Sequence, residues 1–361
     1  MLNNCVDIFF KSYIVIRNSY ILLIMLIREN ISLKPLNTFG MNVTARWFTE
    51  LKSKEQLGEL FGSAEWKGKS HFILGGGSNI LFTKDVNALV VRNELKGIEV
   101  VKEDADFIYV RSGAGEVWHE FVMDCIRNNR AGVENLSLIP GSVGAGPMQN
   151  IGAYGVELKD VFQELEAYHI AEGYTRNFSA EECKFGYRES VFKHEVKNQF
   201  FITSVTFRLK KKPSLNTSYG AIEKELEVMG VKEISIAAIS QAVINIRSSK
   251  LPDPAKIGNA GSFFKNPVVN AEKHAQLKKD FPELVSYPSG SDFKLAAGWM
   301  IEKCEWKGKR FGDAGVHKDQ ALVLVNYGNA KGNEIYDLST RVLESVNEKF
   351  GVMLEREVNV L

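Results

Sequence analysis

Beyond residue 35, short apolar runs alternate with longer amphipathic ones, so the chain reads as interleaved strands and helices. Leu57, Leu60 and Phe61 recur at helical spacing and predict a helix over 53–61. His71-Phe72-Ile73-Leu74 is a short apolar strand that runs directly into Gly75-Gly76-Gly77-Ser78-Asn79. Further strands are predicted over 89–91, 98–101 and 107–110. Val117, Phe121 and Cys125 form the apolar stripe of a helix over 116–128, opened by an acid in its first turn. Residues 200–209 alternate like a half-buried strand, and Lys210-Lys211-Lys212-Pro213 marks a boundary behind it. Helices over 221–229 and 236–246, a strand over 321–325 and a helix over 333–350 follow. With the segment 354–361 they make the last third a separate α+β unit.

The first thirty residues stand apart. Apolar residues crowd 14–16 and 20–27, but Arg17-Asn18-Ser19 divides them. Neither part approaches the ~20 residues of a membrane helix, and no small-residue cleavage site follows Ile27. Residues 1–30 are therefore expected to be an extension outside the fold, with Met25 as a natural start and no stable membrane insertion.

The length of 361 residues suggests more than one domain, and 45% hydrophobic with 25% charged residues is ordinary globular composition. Forty-five basic side chains against forty-four acidic ones leave no bulk field for nucleic acid or an anionic membrane. Any anionic ligand must be met by a local site. The four cysteines and six histidines are scattered without CxxC or HExxH spacing, so no metal site is expected and a reducing compartment fits. The skewed number is thirty glycines against nine prolines.

Those glycines concentrate in loops. Backbone amides can point together at a phosphate only where side chains stay out of the way. Both Gly75-Gly76-Gly77-Ser78-Asn79 and Ile139-Pro140-Gly141-Ser142-Val143-Gly144-Ala145-Gly146 have that chemistry. The first lacks the sixth-position Gly or Ala of a dinucleotide fingerprint. The nearest P-loop candidate, from Gly62 to Ser70, has the wrong glycine spacing and lies between a helix and a strand in the reverse order. A plain tight turn explains either loop alone; two together suggest an extended ligand carrying a pyrophosphate.

Three polar positions suggest chemistry. Arg188 lies among aromatics in Phe185-Gly186-Tyr187-Arg188-Glu189, where it could clamp a carboxylate or simply pair with Glu189. Ser262 follows Gly258-Asn259-Ala260-Gly261 and precedes two phenylalanines, either a shielded hydroxyl or a turn residue. Glu357 alternates with apolar neighbours and points inward or into solvent.

The order of Pro35-Leu36-Asn37-Thr38-Phe39-Gly40, the two glycine loops, 185–188, 261–266 and 354–358 resembles the UDP-N-acetylenolpyruvoylglucosamine reductase family, from about residue 32 to 358. Tyr219 in Ser218-Tyr219-Gly220 resembles the substrate-capping tyrosine of its longer, loop-bearing type. The resemblance implies an α+β fold: a two-subdomain FAD-binding module of the vanillyl-alcohol-oxidase (PCMH) type plus a C-terminal α+β substrate domain. The subdomains are expected over 31–98 and 99–213, the substrate domain over 214–350, and a final strand carrying Glu357 over 351–361. FAD would lie against Gly75, Gly76, Gly77, Ser78 and Asn79 and against Ile139, Pro140, Gly141, Ser142, Gly144, Ala145 and Gly146. The implied catalytic residues are Arg188, Ser262 and Glu357; Tyr187, Tyr219, Arg247, Lys250, Asn266 and Gln320 would contact the UDP-sugar.

The implied reaction is NADPH-driven reduction of UDP-N-acetylglucosamine enolpyruvate by a cytoplasmic monomer. Arg188 would meet charge building on the substrate carboxylate, and Glu357 could help only with a raised pKa. Ser262 would donate the proton through a relay, Lys250 or water. An oxidase on the same scaffold and a nucleotide-sugar binding protein without turnover are the rival readings.

Overall fold

The computed structural model describes residues 25–361 and the backbone of a short strand, Ser12–Ile14. Its first sheet has five strands in the order Ser12–Ile14, Met25–Ser32, Thr44–Leu51, Val86–Asn93 and His71–Leu74. The last three run parallel, and helix Glu55–Gly62 forms part of the crossover from Thr44–Leu51 to His71–Leu74. A parallel pair needs such a crossover, and Leu57, Leu60 and Phe61 bury its apolar face.

Here the expectation for residues 1–30 needs correction. Met25–Ser32 is an internal strand, and Met25 and Ile27 are buried with Leu57, Leu60 and Trp66. Ser12–Ile14 pairs antiparallel with the start of that strand. Part of the apolar run that looked dispensable is thus the inward face of a sheet. The remainder of the expected extension lies outside the described residues.

The second sheet is fully antiparallel, in the order Thr175–Ser179, Phe162–His169, Phe200–Lys210, Phe107–Gly113, Ile98–Glu103. Helix Trp118–Arg127 packs on it through Trp118 and Phe121, whose rings lie 5.8 and 4.6 Å from that of Phe207. The expected stripe shifts by one residue at its start: Val117 is exposed at the N-cap, and Trp118, Phe121, Val122 and Cys125 face inward. Nor is Phe200–Lys210 half-buried. Its first eight residues are all buried, because one face meets the helix while Phe201 reaches the core of the first subdomain.

The C-terminal part pairs helices Gly220–Val228 and Ile236–Lys250 through Ile222, Leu226, Ile239 and Val243. A four-stranded sheet follows, in the order Gly258–Ser262, Val323–Asn326, Ala314–Val316, Arg310–Phe311, with helix Gly332–Phe350 packed beside it. This part shares a core with the first subdomain: Phe263, Phe264, Leu324 and Val342 cluster with Phe39, Phe48 and Leu74. The expected final strand is also shorter. Only Asn359–Val360 forms a ladder, parallel to Ile80–Leu81, while Arg356 makes one bridge to Phe264. The tail returns to the seam between the first sheet and the C-terminal part, and this seam positions Glu357. Among the described residues no helix is long and apolar enough to cross a membrane.

Candidate active site

Strand His71–Leu74 delivers the first glycine loop directly against the second. A Cβ on Gly76 would stand 2.8 Å from the Cα of Gly141, and one on Gly75 would stand 2.5 Å from Ser142 Oγ. Gly77 and Gly141 adopt positive φ, 63° and 114°, which a side chain would strain. Glycine is required here because two backbones touch. The N–H groups of Gly76, Gly77, Ser78, Gly141 and Ser142 donate to no acceptor among the described residues. Pro140 and Ala145 are exposed, Ile139 is half-buried, and Gly144 and Gly146 are buried. Asn79 ties the loops to the tail, its Nδ2 donating to Gln149 Oε1 at 2.8 Å and to Glu357 O at 3.3 Å.

Arg188 occupies the third position of a tight turn closed by Gly186 and Glu189, with φ 58°. Glycine or asparagine normally fills such a position. Its Nε donates to Glu357 Oε1 at 2.9 Å and its Nη2 to Gly152 O at 2.9 Å. Both side chains are largely enclosed, 20% and 13% exposed. The local pairing with Glu189 that sequence allowed does not form, because the turn sends neighbouring side chains to different partners. Glu189 instead binds Lys265 and His194. Burial pushes the Glu357 carboxyl above the ordinary carboxylate range, against the pull of Arg188, Lys193 and Lys265.

Ser262 ends strand Gly258–Ser262, where the ladder to Val323–Asn326 carries one extra residue between Asn259 and Ser262. Gly261 supplies φ 70°, and its N–H donates to Asn259 Oδ1 at 2.9 Å. A bulge of this kind re-aims the residue after it. The next residue, Phe263, accepts from the Glu357 N–H at 2.8 Å. This backbone bond links the serine strand to the glutamate tail.

The expected sugar-nucleotide contacts fall into two groups and two outliers. Tyr187 and Asn266 interact directly, and burial raises the Tyr187 phenol while Arg188 opposes this. Lys294 Nζ lies 3.8 Å from the Tyr187 ring centroid. Asn266 Oδ1 accepts from the first N–H of helix Ala297–Lys303 at 3.0 Å, which fixes the amide. Arg247 is drawn below its ordinary pKa by burial; Tyr154 opposes this, and Arg247 Nε donates to Leu138 O at 3.2 Å. The rings of Tyr154 and Tyr219 meet edge-on at 5.3 Å. Gln320 is half-buried in the turn before Val323–Asn326. Lys250 is exposed at the end of its helix, and among the described residues it makes no hydrogen bond to Ser262.

Sequence reading missed Tyr154, Lys193 and Lys294. Tyr154 lies beyond the second glycine loop, where an aromatic between Gly152-Ala153 and Gly155 was the available signal, and its backbone takes φ 50°. Lys193 donates to Arg188 O at 2.9 Å, and nothing in a one-dimensional pattern separates it from a solvated lysine.

A family model described as an FAD binding domain matches residues 46–179. Matched to that region, two sheet subdomains joined through facing glycine loops define a flavoprotein of the two-subdomain FAD-binding type. A second model, the UDP-N-acetylenolpyruvoylglucosamine reductase C-terminal domain, matches residues 253–361. The UDP-N-acetylenolpyruvoylglucosamine reductase of Flavobacterium johnsoniae is 53% identical, covering 93% of this chain and 100% of its own length. That of Amoebophilus asiaticus is 48% identical over 93% of this chain and 99% of its own. The crystal structure of the reductase from Thermus caldophilus superposes with a TM-score of 0.65 at 25% identity, covering 93% and 99% of the two chains. The chain belongs to the UDP-N-acetylenolpyruvoylglucosamine reductase family.

The residues present fit FAD. Unpartnered amides on both loops supply donors for a diphosphate without any excess of basic side chains. When bound, the flavin supplies hydride transfer in both directions.

Proposed function

We propose that this protein reduces the enolpyruvyl double bond of UDP-N-acetylglucosamine enolpyruvate to UDP-N-acetylmuramate, with NADPH as reductant and FAD held by 75–79 and 139–146. A hydride and a proton add across the carbon–carbon double bond, and NADPH leaves as NADP+. The observation that carries this reading is the enclosed Arg188–Glu357 pair at the seam of all three parts. An acrylate-like acceptor gathers negative charge toward its carboxylate as hydride arrives, and a fixed guanidinium stabilises that charge. Glu357, its carboxyl raised by burial, is suited to the protonated form in which it donates a hydrogen bond. Ser262 is assigned the proton delivered to the carbon bearing the carboxylate.

Tyr187, Tyr219, Arg247, Lys250, Asn266 and Gln320 are assigned to the UDP-sugar. The burial of Arg247 supports this: a guanidinium taken out of water needs an anion or several acceptors. Lys250, being exposed, suits a solvent-facing phosphate contact better than a proton relay. We assign the enzyme to the cytoplasm as a monomer. The cysteines Cys125, Cys183 and Cys304, unpaired among the described residues, fit a reducing compartment, and sedimentation measures the oligomeric state.

The test is the visible spectrum. Flavin bands should bleach with NADPH and return anaerobically on adding UDP-N-acetylglucosamine enolpyruvate. Bands restored only by oxygen would place the chain among oxidases, and a colourless protein that does not take up FAD would remove the reading.

A further inference from the structure

Three chain segments that are far apart in sequence must bring Arg188, Ser262 and Glu357 together, and hydrogen bonding to one ammonium reaches all three. Lys265 Nζ donates to Glu189 Oε1 and to Glu355 Oε1, both at 2.6 Å, and its side chain is 8% exposed. Glu189 is the residue after Arg188, Glu355 lies two before Glu357, and Lys265 itself lies three after Ser262. The Lys265 N–H also donates to Glu355 O at 2.9 Å. Lys193 closes the Arg188 turn from the other side through Arg188 O.

We propose that Lys265 is a positioning residue for the reduction of the enolpyruvyl substrate, a strap that holds the Arg188 turn and the Glu357 tail at working distance from the Ser262 strand. The proposal rests on the function given above.

Stability alone does not explain this arrangement. An ion pair that buries its ammonium rarely stabilises a fold more than apolar packing does, because desolvation offsets the attraction. Geometry is the better account. The ammonium makes two charge-assisted bonds to carboxylates belonging to different segments, so neither segment can move without breaking one. Burial pulls the Lys265 ammonium down, yet Glu189 and Glu355 more than offset it and keep it charged. A 1 Å displacement of a catalytic group can slow chemistry about a hundredfold.

The test is Lys265→Met in the FAD-loaded enzyme, followed by stopped flow on each half-reaction. Glu355 is 70% and Glu189 33% exposed, so both carboxylates can be rehydrated and the variant should fold. Flavin bleaching by NADPH should be unchanged, and reoxidation by the enolpyruvyl sugar should slow about a hundredfold. A second signature comes from pH. The charged groups facing Glu357 are Arg188 and Lys193, with the Tyr187 phenol, from the turn side, Lys265 from the strand side and Glu355 on its own tail. Removing Lys265 takes away one cation and releases two carboxylates, so the alkaline limb of reoxidation should move to higher pH. Lys265→Arg, which can still bridge two carboxylates, should restore much of the rate.

A Lys265→Met enzyme that reoxidises like the wild type overturns the proposal. So does equal loss of both half-reactions or of bound FAD, which would make Lys265 a support of the fold. Failure of the wild-type enzyme itself to be reoxidised by this substrate would remove the functional reading, and the strap with it.

Discussion

Gly76→Ala tests whether the contact between the two loops exists for the cofactor. The new Cβ would stand 2.8 Å from Gly141 Cα and 3.1 Å from Gly141 C, both backbone atoms that no rotamer change can clear. Ordinary carbon–carbon contact begins near 3.5 Å, so the loops must separate by roughly half an ångström or more. That shift moves the amides of Gly141 and Ser142 relative to those of Gly76 to Ser78. Each hydrogen bond to a charged group contributes about 1.5–3 kcal/mol, so weakening one or two should loosen FAD roughly 10- to 1,000-fold. The assay is FAD content after purification and Kd by quenching of flavin fluorescence, with circular dichroism to monitor the fold. Gly62→Ala is the control: its Cβ meets nothing within 4 Å, and it ends the helix Glu55–Gly62. A Gly76→Ala protein that folds and binds FAD as tightly as this control would refute the argument.

Ser262→Ala should leave bleaching by NADPH intact and slow reoxidation by the substrate about a hundredfold or more, the scale of a lost general acid; equal loss of both steps would assign the serine to folding. Arg188→Lys should impair reoxidation selectively, because one ammonium cannot bond Glu357 and Gly152 as Nε and Nη2 do. Stopped-flow traces that match the wild type would take Arg188 out of the site. Glu134 lies away from the chemistry, and burial raises its carboxyl pKa, opposed by hydrogen bonds such as that from the Gly132 N–H. The folded state therefore keeps that proton to higher pH than the unfolded chain, and stability present below about pH 4.5 is lost as pH rises through the folded value. Glu134→Gln should raise Tm near neutrality and do so less at pH 4; an equal gain at both pH values would refute the burial argument.

Much of the architecture was legible because apolar periodicity reflects burial. His71–Leu74, Phe200–Lys210 and the helix ending at Phe350 appear close to where their patterns placed them. The failures have a common physical cause: a residue's partner lay far away in sequence. Phe200–Lys210 looked half-buried because its small polar residues, Thr203, Ser204 and Thr206, are themselves buried. Arg188 looked ready to pair with Glu189, yet its carboxylate partner is 169 residues away. The glycines of 75–77 read as ligand-facing, and half of the reason is the second loop pressed against them. Met25 and Ile27 read as expendable because the strand beside theirs begins at Thr44 and the residues that bury them begin at Leu51.

Backbone strain gives an independent mark of the site. Nine non-glycine residues among those described have positive φ. Four are asparagines, Asn30, Asn129, Asn150 and Asn198, a residue type that tolerates the left-handed region. Of the five bulkier ones, Lys184 and Glu305 follow the ends of short helices, and Leu138, Tyr154 and Arg188 belong to the site. Each such residue costs about 1–3 kcal/mol and persists only where surroundings over-determine it. Those surroundings are visible. Leu138 accepts from Arg247 and donates its N–H to His119 Nδ1 at 3.0 Å, and Arg188 is held at Glu357, Gly152 and Lys193. Glycine at 188 would relax the turn, but it would leave Glu357 enclosed without its guanidinium. The arginine is kept where its backbone is least comfortable because its side chain is needed there, and Lys193 and Lys265 brace the turn that carries it.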